Sequence, residues 1–99
     1  VRIIAYMQID DQDIGSTILT KHAPKKLKVN VHGTGPLLKV VVVRNNEDWY
    51  TAERPGWDCA FELDDLPMPE KGGTDWYYLR VIQEDNNMAW TSPIWVKFE

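Results

Sequence analysis

The sequence has 99 residues, a length typical of one domain, and its hydrophobic fraction of 43% excludes a disordered chain. The formal net charge of −4 argues against a nucleic-acid partner, because such a partner requires a basic surface. No stretch approaches the roughly 18 apolar residues of a membrane-spanning helix. We therefore expect a single domain over residues 1–99, with neither nucleic acid nor membrane as its partner.

Alternation of apolar and polar residues dominates the chain. In residues 26–32, Leu27, Val29 and Val31 alternate with polar side chains, which is typical of a strand with one face in water. Seven such segments are separated by turn-forming residues: 1–9, 26–32, 37–44, 48–53, 57–63, 75–84 and 88–98. This spacing predicts an all-β sandwich of about seven antiparallel strands, of immunoglobulin or fibronectin type III shape.

Turn-forming residues set the expected boundaries of these strands. Residues 33–36 contain two glycines and a proline and should separate the second strand from the third, and residues 54–56 should end the fourth. Residues 45–46 are both asparagine and predict a tight hairpin. Pro93 indicates a bulge or an edge segment in the last strand, because proline cannot donate to a ladder. Residues 10–23 are polar and mixed and are assigned no strand.

The titratable residues give no sign of a reactive centre. Cys59 is the one cysteine, which excludes an intrachain disulfide and assigns no compartment. It shares the predicted apolar face of its strand with Trp57, Phe61 and Leu63, so a buried, inert thiol is expected. The two histidines, His22 and His32, are too few for a multi-metal centre and are interpreted as surface residues.

We therefore predict no catalytic, cofactor-binding or metal-binding residue, and no cofactor, in this segment. Calcium held between loop carboxylates such as Asp10, Asp11 and Asp13 stays open as an alternative to their roles in turns and solubility.

Aromatic residues are unusually frequent, with five Trp and four Tyr. Trp76, Tyr78 and Arg80 share the outward face of one predicted strand, and Trp95 would join them if its strand is the neighbour. These four residues form the predicted interaction surface. Three interpretations are open: plain stabilisation of the sheet, docking of a partner, or a stacking platform for sugar rings formed by Trp76, Tyr78 and Trp95.

The last third of the chain carries a resemblance to a known family. Residues 76–96, WYYLRVIQEDNNMAWTSPIWV, resemble the C-terminal segment YYVRVxQxDGxxAWSSPIWV of uncharacterised bacterial and archaeal proteins related to the polymerase and histidinol phosphatase (PHP) metal-dependent phosphoesterases. Residues 31–45 are similar to a second run of that family. Asn86-Asn87 and Asn45-Asn46 stand where the family has Asp-Gly and Asn-Gly, and both keep residues that tolerate positive φ.

This resemblance implies a sandwich appended at the C-terminal end of a longer protein whose catalytic part lies upstream. The first residue, Val1, also leads us to expect a fragment of a longer protein. The expected function is that of a non-catalytic accessory domain, packed on the catalytic domain of its parent chain or on another subunit. The alternatives are a carbohydrate-binding module and a stand-alone interaction domain.

Overall fold

The computed structural model describes residues 3–64, 66–67 and 72–98 and contains strands only. Residues 1–2 of the first predicted strand lie outside those ranges. Part of the predicted loop between the fifth and sixth strands also lies outside them. The strands are β1 (Ile4–Ile9), β2 (Gln12–Asp13), β3 (Thr17–Thr20), β4 (Lys26–Arg44), β5 (Glu47–Asp64), β6 (Thr74–Gln83), β7 (Met88–Trp90) and β8 (Ile94–Phe98). No helix among the described residues is long and apolar enough to cross a bilayer.

Two long strands, β4 and β5, take part in both layers of the fold. The first half of β4 pairs with β1 on one side and with the second half of β5 on the other, and these form the first sheet. The second half of β4 lies between the first half of β5 and β6. Strand β6 then pairs with β7 and β8, and β8 with β3, to complete the second sheet. This strand order is that of an immunoglobulin or fibronectin type III sandwich, which confirms the predicted fold class.

The core lies between the inward faces of the two sheets, as period-two alternation requires. Leu27, Val29 and Val31 of the first sheet are buried, as predicted, and the first sheet also buries Met7 and Ile9. The second sheet contributes a row of wholly buried side chains, namely Val40, Val42, Tyr77, Leu79, Val81, Ile94 and Val96. The alternation in the sequence therefore identifies these core residues correctly.

The predicted turn at residues 33–36 is wrong, since this segment is a bend within the continuous strand β4, marked by shifts in register. A Cβ atom on Gly33 would lie 2.7 Å from the carbonyl oxygen of Gly35 and 2.9 Å from that of Trp57, so only glycine fits. Gln83, fully buried, accepts a hydrogen bond from the backbone N–H of Thr34 at 2.7 Å and so holds the bend from β6.

Residues 54–56 likewise form a bend, within β5, rather than the predicted end of a strand. Arg54 and Gly56 have positive φ values of 47° and 101°, which redirect the strand from the second sheet to the first. Trp57, predicted on the apolar face with Cys59, is 59% exposed because it lies at this bend, whereas Cys59 is buried.

Two further differences concern the ends of the chain. Residues 10–23, assigned no strand, contain β2 and β3. The pairing of β3 with β8 is parallel, in contrast to the antiparallel arrangement predicted throughout. The bulge predicted at Pro93 is confirmed, because Pro93 lies in the break between β7 and β8, where the pairing with β6 shifts by one residue, from Trp90 opposite Arg80 to Ile94 opposite Tyr77. The predicted hairpin at Asn45 and Asn46 is confirmed, with positive φ at both residues.

Replacing Gly33 by Ala should lower the free energy of unfolding by about 2 kcal/mol, because the added methyl group overlaps two backbone oxygens that belong to different strands. Urea denaturation measures the change. The matched control is Gly35→Ala, where the nearest atom to the new Cβ lies at 3.7 Å, and its effect should stay below about 1 kcal/mol. Equal losses for the two variants would contradict the steric role of Gly33.

Tyr77 should make the stability of the fold fall at high pH. Burial raises the pKa of Tyr77 to about 12, against an ordinary value of 10.0. Between these values the unfolded chain loses the phenolic proton and the folded chain keeps it, so the free energy of unfolding decreases as the pH rises from 10.0 through about 12. Denaturation of the wild type and of Tyr77→Phe across this range isolates the effect, and parallel pH profiles would contradict it.

Candidate functional site

The candidate site is the outer face of the second sheet, and it begins with the alternation of β6. Asp75, Tyr77, Leu79, Val81 and Gln83 are buried against the core, while the residues between them are half-buried and point away from it. The outward set is Trp76, Tyr78, Arg80 and Ile82. The structure therefore places three of the four predicted surface residues on one strand, in consecutive outward positions.

The neighbouring strands add two tryptophans to this set. Trp95 of β8 is the direct cross-strand partner of Trp76, as the sequence predicts, and Trp90 of β7 is the partner of Arg80. Directly opposed residues project from the same side of a sheet. Trp76, Tyr78, Arg80, Trp90 and Trp95 thus share one surface, which we call the aromatic face.

Trp90 is the residue of this face that sequence reasoning missed. In an unbroken strand over residues 88–98, positions 90 and 95 would point to opposite sides. The break at residues 91–93 interrupts the alternation, so β7 and β8 both direct a tryptophan outward. Pro93, which cannot donate to a ladder, is the signal that could have revealed this break.

The aromatic face is exposed to solvent along β7 and β8. Trp90 is 59% exposed and Trp95 is 38% exposed, and Met88, beside Trp90 on β7, is also exposed. Leu19 of β3 pairs with Lys97 and extends the apolar surface beyond Trp95. Exposed apolar residues that cluster in this way are characteristic of interaction surfaces.

Arg80 is fixed in the middle of this face. Its guanidinium donates to both carboxylate oxygens of Asp48 on β5 at 3.1 Å. Val41 and Val43, the partners of Arg80 and Tyr78 on β4, are almost fully buried although they lie on the outward side. The apolar parts of the outward side chains, such as Arg80 and Tyr78, therefore cover these two valines, while the guanidinium group of Arg80 stays at the surface.

A buried ion pair supports the aromatic face from below. Arg44 donates to Asp75 at 2.7 Å, and Asp75 also accepts from the side-chain amide of Asn45 at 2.9 Å. The side-chain oxygen of Asn45 accepts a hydrogen bond from the backbone N–H of Trp76 at 3.0 Å. The backbone N–H of Asn45 donates to the carbonyl oxygen of Trp76, also at 3.0 Å. The hairpin at Asn45 therefore fixes the backbone that carries Trp76.

The ring contacts among the described residues lie outside the aromatic face. Trp49 meets Tyr77 edge to face at a centroid distance of 5.7 Å, and Tyr50 meets Phe61 at 5.0 Å. Strand register places the rings of the aromatic face next to one another, but none of them makes a ring contact with another among the described residues. Trp90 and Trp95, the exposed rings of this face, are therefore available to a partner.

His32 and Cys59 lie on the first sheet, away from the aromatic face. His32 and Asp58 form an exposed pair, with 3.0 Å between His32 Nδ1 and the carboxylate. Burial raises the pKa of the Cys59 thiol. Within residues 3–64, 66–67 and 72–98, no three His, Cys, Asp or Glu side chains converge as metal ligands would.

Comparison with known proteins gives relatives without a described activity. No protein-family model matches the chain. It is 34% identical to uncharacterized proteins of Chlamydia trachomatis and Chlamydia muridarum and 36% identical to one of Chlamydia pneumoniae, each over 110 aligned positions. Each alignment covers 96% of this chain but 18% of the relative, so the chain spans less than a fifth of the length of the curated relatives it matches. The relatives are thus much longer polypeptides.

Among solved structures, the chain is similar to a structure of the fibronectin(III)-like modules of Clostridium thermocellum CbhA. The TM-score is 0.49 and the sequence identity 8%, with 94% of this chain and 95% of the other covered.

Replacing Asp75 by Asn should lower the free energy of unfolding by about 2 kcal/mol or more, because the Arg44 guanidinium would lose its charged partner in a largely buried site. Chemical denaturation measures the loss. Asp48→Asn is the matched control, since it removes the same charge from an exposed pair with Arg80 and should cost about 1 kcal/mol or less. A control that costs as much as Asp75→Asn would refute the special role of the buried pair.

Proposed function

We propose that this chain is a non-catalytic accessory domain that docks through its aromatic face onto another part of the longer polypeptide to which it belongs. The observation that carries the proposal is the aromatic face itself. It combines three tryptophans, a tyrosine and an arginine on one side of a sheet, and Trp90 and Trp95 are left open to solvent.

The composition of the face supports a protein partner. Trp, Tyr, Met and Arg are enriched at the centres of protein interfaces and supply most of the residues whose truncation weakens binding. Arg80, the charged residue in the middle of the face, is paired with Asp48 at 3.1 Å, and Lys97 of β8 lies on the outward side opposite Leu19. An arginine among aromatic side chains is a common combination at the centre of an interface.

The rigidity of the face also supports docking. Arg80 is held by Asp48, and the backbone of Trp76 is held by Asn45, before any partner arrives. Side chains that are already ordered lose less conformational entropy on binding. The face therefore needs little rearrangement to receive a complementary surface.

The length of the relatives favours a partner within the same polypeptide. More than four fifths of each relative lies outside the matched segment. A partner on the same chain is present at high effective concentration, so a modest contact area suffices for stable docking. The resemblance of residues 76–96 to the PHP-related proteins suggests a metal-dependent hydrolase as that partner, and the parent's catalytic residues would then lie outside this chain.

Hydroxyl-radical footprinting of the full-length protein tests the docking. Trp57 and Trp90 are equally exposed in this domain, at 59%, but Trp57 lies at the bend of β5 and Trp90 on the aromatic face. We expect Trp90 to be oxidised several times more slowly than Trp57, because the docked partner shields it. Trp95 and Met88 should be protected together with Trp90.

Equal oxidation of Trp57 and Trp90 in the full-length protein would overturn the proposal. Trp90→Asp provides a second test, since a charge within the interface should release the domain and restore oxidation of Trp95 and Met88. The matched variant Trp57→Asp should leave their protection unchanged.

A carbohydrate-binding role for Trp76, Tyr78 and Trp95 is the second candidate. The unstacked rings of the aromatic face favour it, because sugar rings bind to exposed indole surfaces. This role would leave Trp90 and Trp95 open to oxidation in the full-length protein until a glycan is added.

A further inference from the structure

A second surface feature lies on the opposite side of the sandwich. The outer face of the first sheet contains a hollow of about 410 Å³, which is within the range of small-molecule sites. It is bordered by side chains from β1, β4 and β5: Tyr6, Gln8, Lys28, Asn30, Ala60 and Glu62.

The hollow follows from the cross-strand register. Tyr6, Asn30 and Ala60 form one row across the sheet, and Gln8, Lys28 and Glu62 form the next. Ala60 contributes only a methyl group among longer neighbours, so the surface is lower at its position. The two rows therefore surround a depression that has one aromatic wall, formed by Tyr6.

The hydroxyl group of Tyr6 is held by Asp13, which lies outside the hollow, and by Gln8 at its border. Its hydroxyl donates to the carboxylate of Asp13 on β2, and Gln8 donates from Nε2 to the Tyr6 oxygen at 2.9 Å and to Asp13 at 2.8 Å. The bond from Tyr6 lowers the pKa of the Asp13 carboxyl, and the same bond raises the pKa of Tyr6. The phenol ring is thus fixed at its outer end while 40% of the residue stays exposed.

The polar groups around the hollow keep unused hydrogen-bonding capacity. Among the described residues, neither the Lys28 ammonium nor the Asn30 side-chain amide has a hydrogen-bond partner, and Glu62 pairs with Lys26 through one oxygen at 3.2 Å. Gln8 uses its NH₂ group and leaves its carbonyl oxygen free. Donors and acceptors therefore alternate around the rim.

This combination selects a ligand class. A fixed aromatic ring offers a flat apolar surface, and a rim of mixed donors and acceptors suits groups that both donate and accept, which hydroxyl groups do. Lys28 and Glu62 give the hollow one charge of each sign, so it has no net charge that would select a charged ligand, and a neutral ligand fits best. We propose that this hollow binds a neutral saccharide, with a sugar ring against Tyr6 and its hydroxyl groups bonded to Asn30, Lys28 and Glu62.

NMR titration of the chain with cellobiose, maltose and N,N′-diacetylchitobiose tests the site. At least one of these sugars should cause saturable shifts in the amide signals of β1, the first half of β4 and the second half of β5. The key variant is Ala60→Leu, which fills the hollow without removing a polar group and should weaken binding about tenfold or more by steric exclusion.

Two further variants separate this site from the aromatic face. Tyr6→Phe keeps the ring but loses its bond to Asp13, so it should weaken binding less than Tyr6→Ala. Trp90→Ala should leave the titration unchanged. The proposal is overturned if none of the three sugars gives saturable shifts, if Ala60→Leu binds as the wild type does, or if the shifts fall on Trp76, Trp90 and Trp95 instead.

Discussion

The fold depends on the bends that allow β4 and β5 to serve both sheets. At the bend of β4, Gly33 lies so close to two backbone carbonyl groups that no side chain can be accommodated, and Gln83 binds the neighbouring Thr34 from the interior. The bend of β5 relies on positive φ at Arg54 and Gly56. Because each strand crosses from one layer to the other, the two sheets are joined covalently as well as by their shared core.

This arrangement gives the sandwich two outer faces with different chemistry. The first sheet directs amides and charged groups outward around the small side chain of Ala60, whereas the second directs Trp76, Tyr78, Trp90 and Trp95 outward. The buried pair of Arg44 and Asp75 lies beneath the second face and joins the hairpin at Asn45 to β6. One small domain thus presents an aromatic surface and a polar one on opposite sides.

Much of this could be predicted from the sequence, because period two reports directly which residues face the core. The burial of Leu27, Val29 and Val31 follows from alternation alone, whereas the pairing of Trp95 with Trp76 depends on which strands are neighbours. The wrong turn predictions lie at segments that contain glycine and proline, because these residues occur both in turns and in bends of a continuous strand. The segments around Gly33 and Gly56 read as turns but bend a continuous strand, since local sequence does not show whether the chain reverses or only changes layer.

The candidate site likewise depends partly on the local sequence of one strand and partly on long-range strand pairing. Trp76, Tyr78 and Arg80 share a strand, so their common face is fixed locally. Trp90 joins them only because the break at residues 91–93 resets the alternation. The short strands β2 and β3 lack an alternating pattern of their own. Strand β2 pairs with β1 across the turn at Asp10 and Asp11, whereas β3 pairs with β8, near the other end of the chain.

The parallel pairing of β3 with β8 has a consequence for how the domain is formed. Thr17, near the start of the chain, meets Trp95, near its end, so this contact closes a loop that contains β4, β5, β6 and β7. Such closure carries a large entropic cost, which favours early formation of the β4–β5 hairpin and late arrival of β8. During synthesis, the aromatic face would remain incomplete until the last strand has left the ribosome. The β6–β7 hairpin, which carries Trp76 and Trp90, can form before that point, and Trp95 joins them when β8 pairs with β6. Until then the apolar surface is half-formed and exposed to other chains.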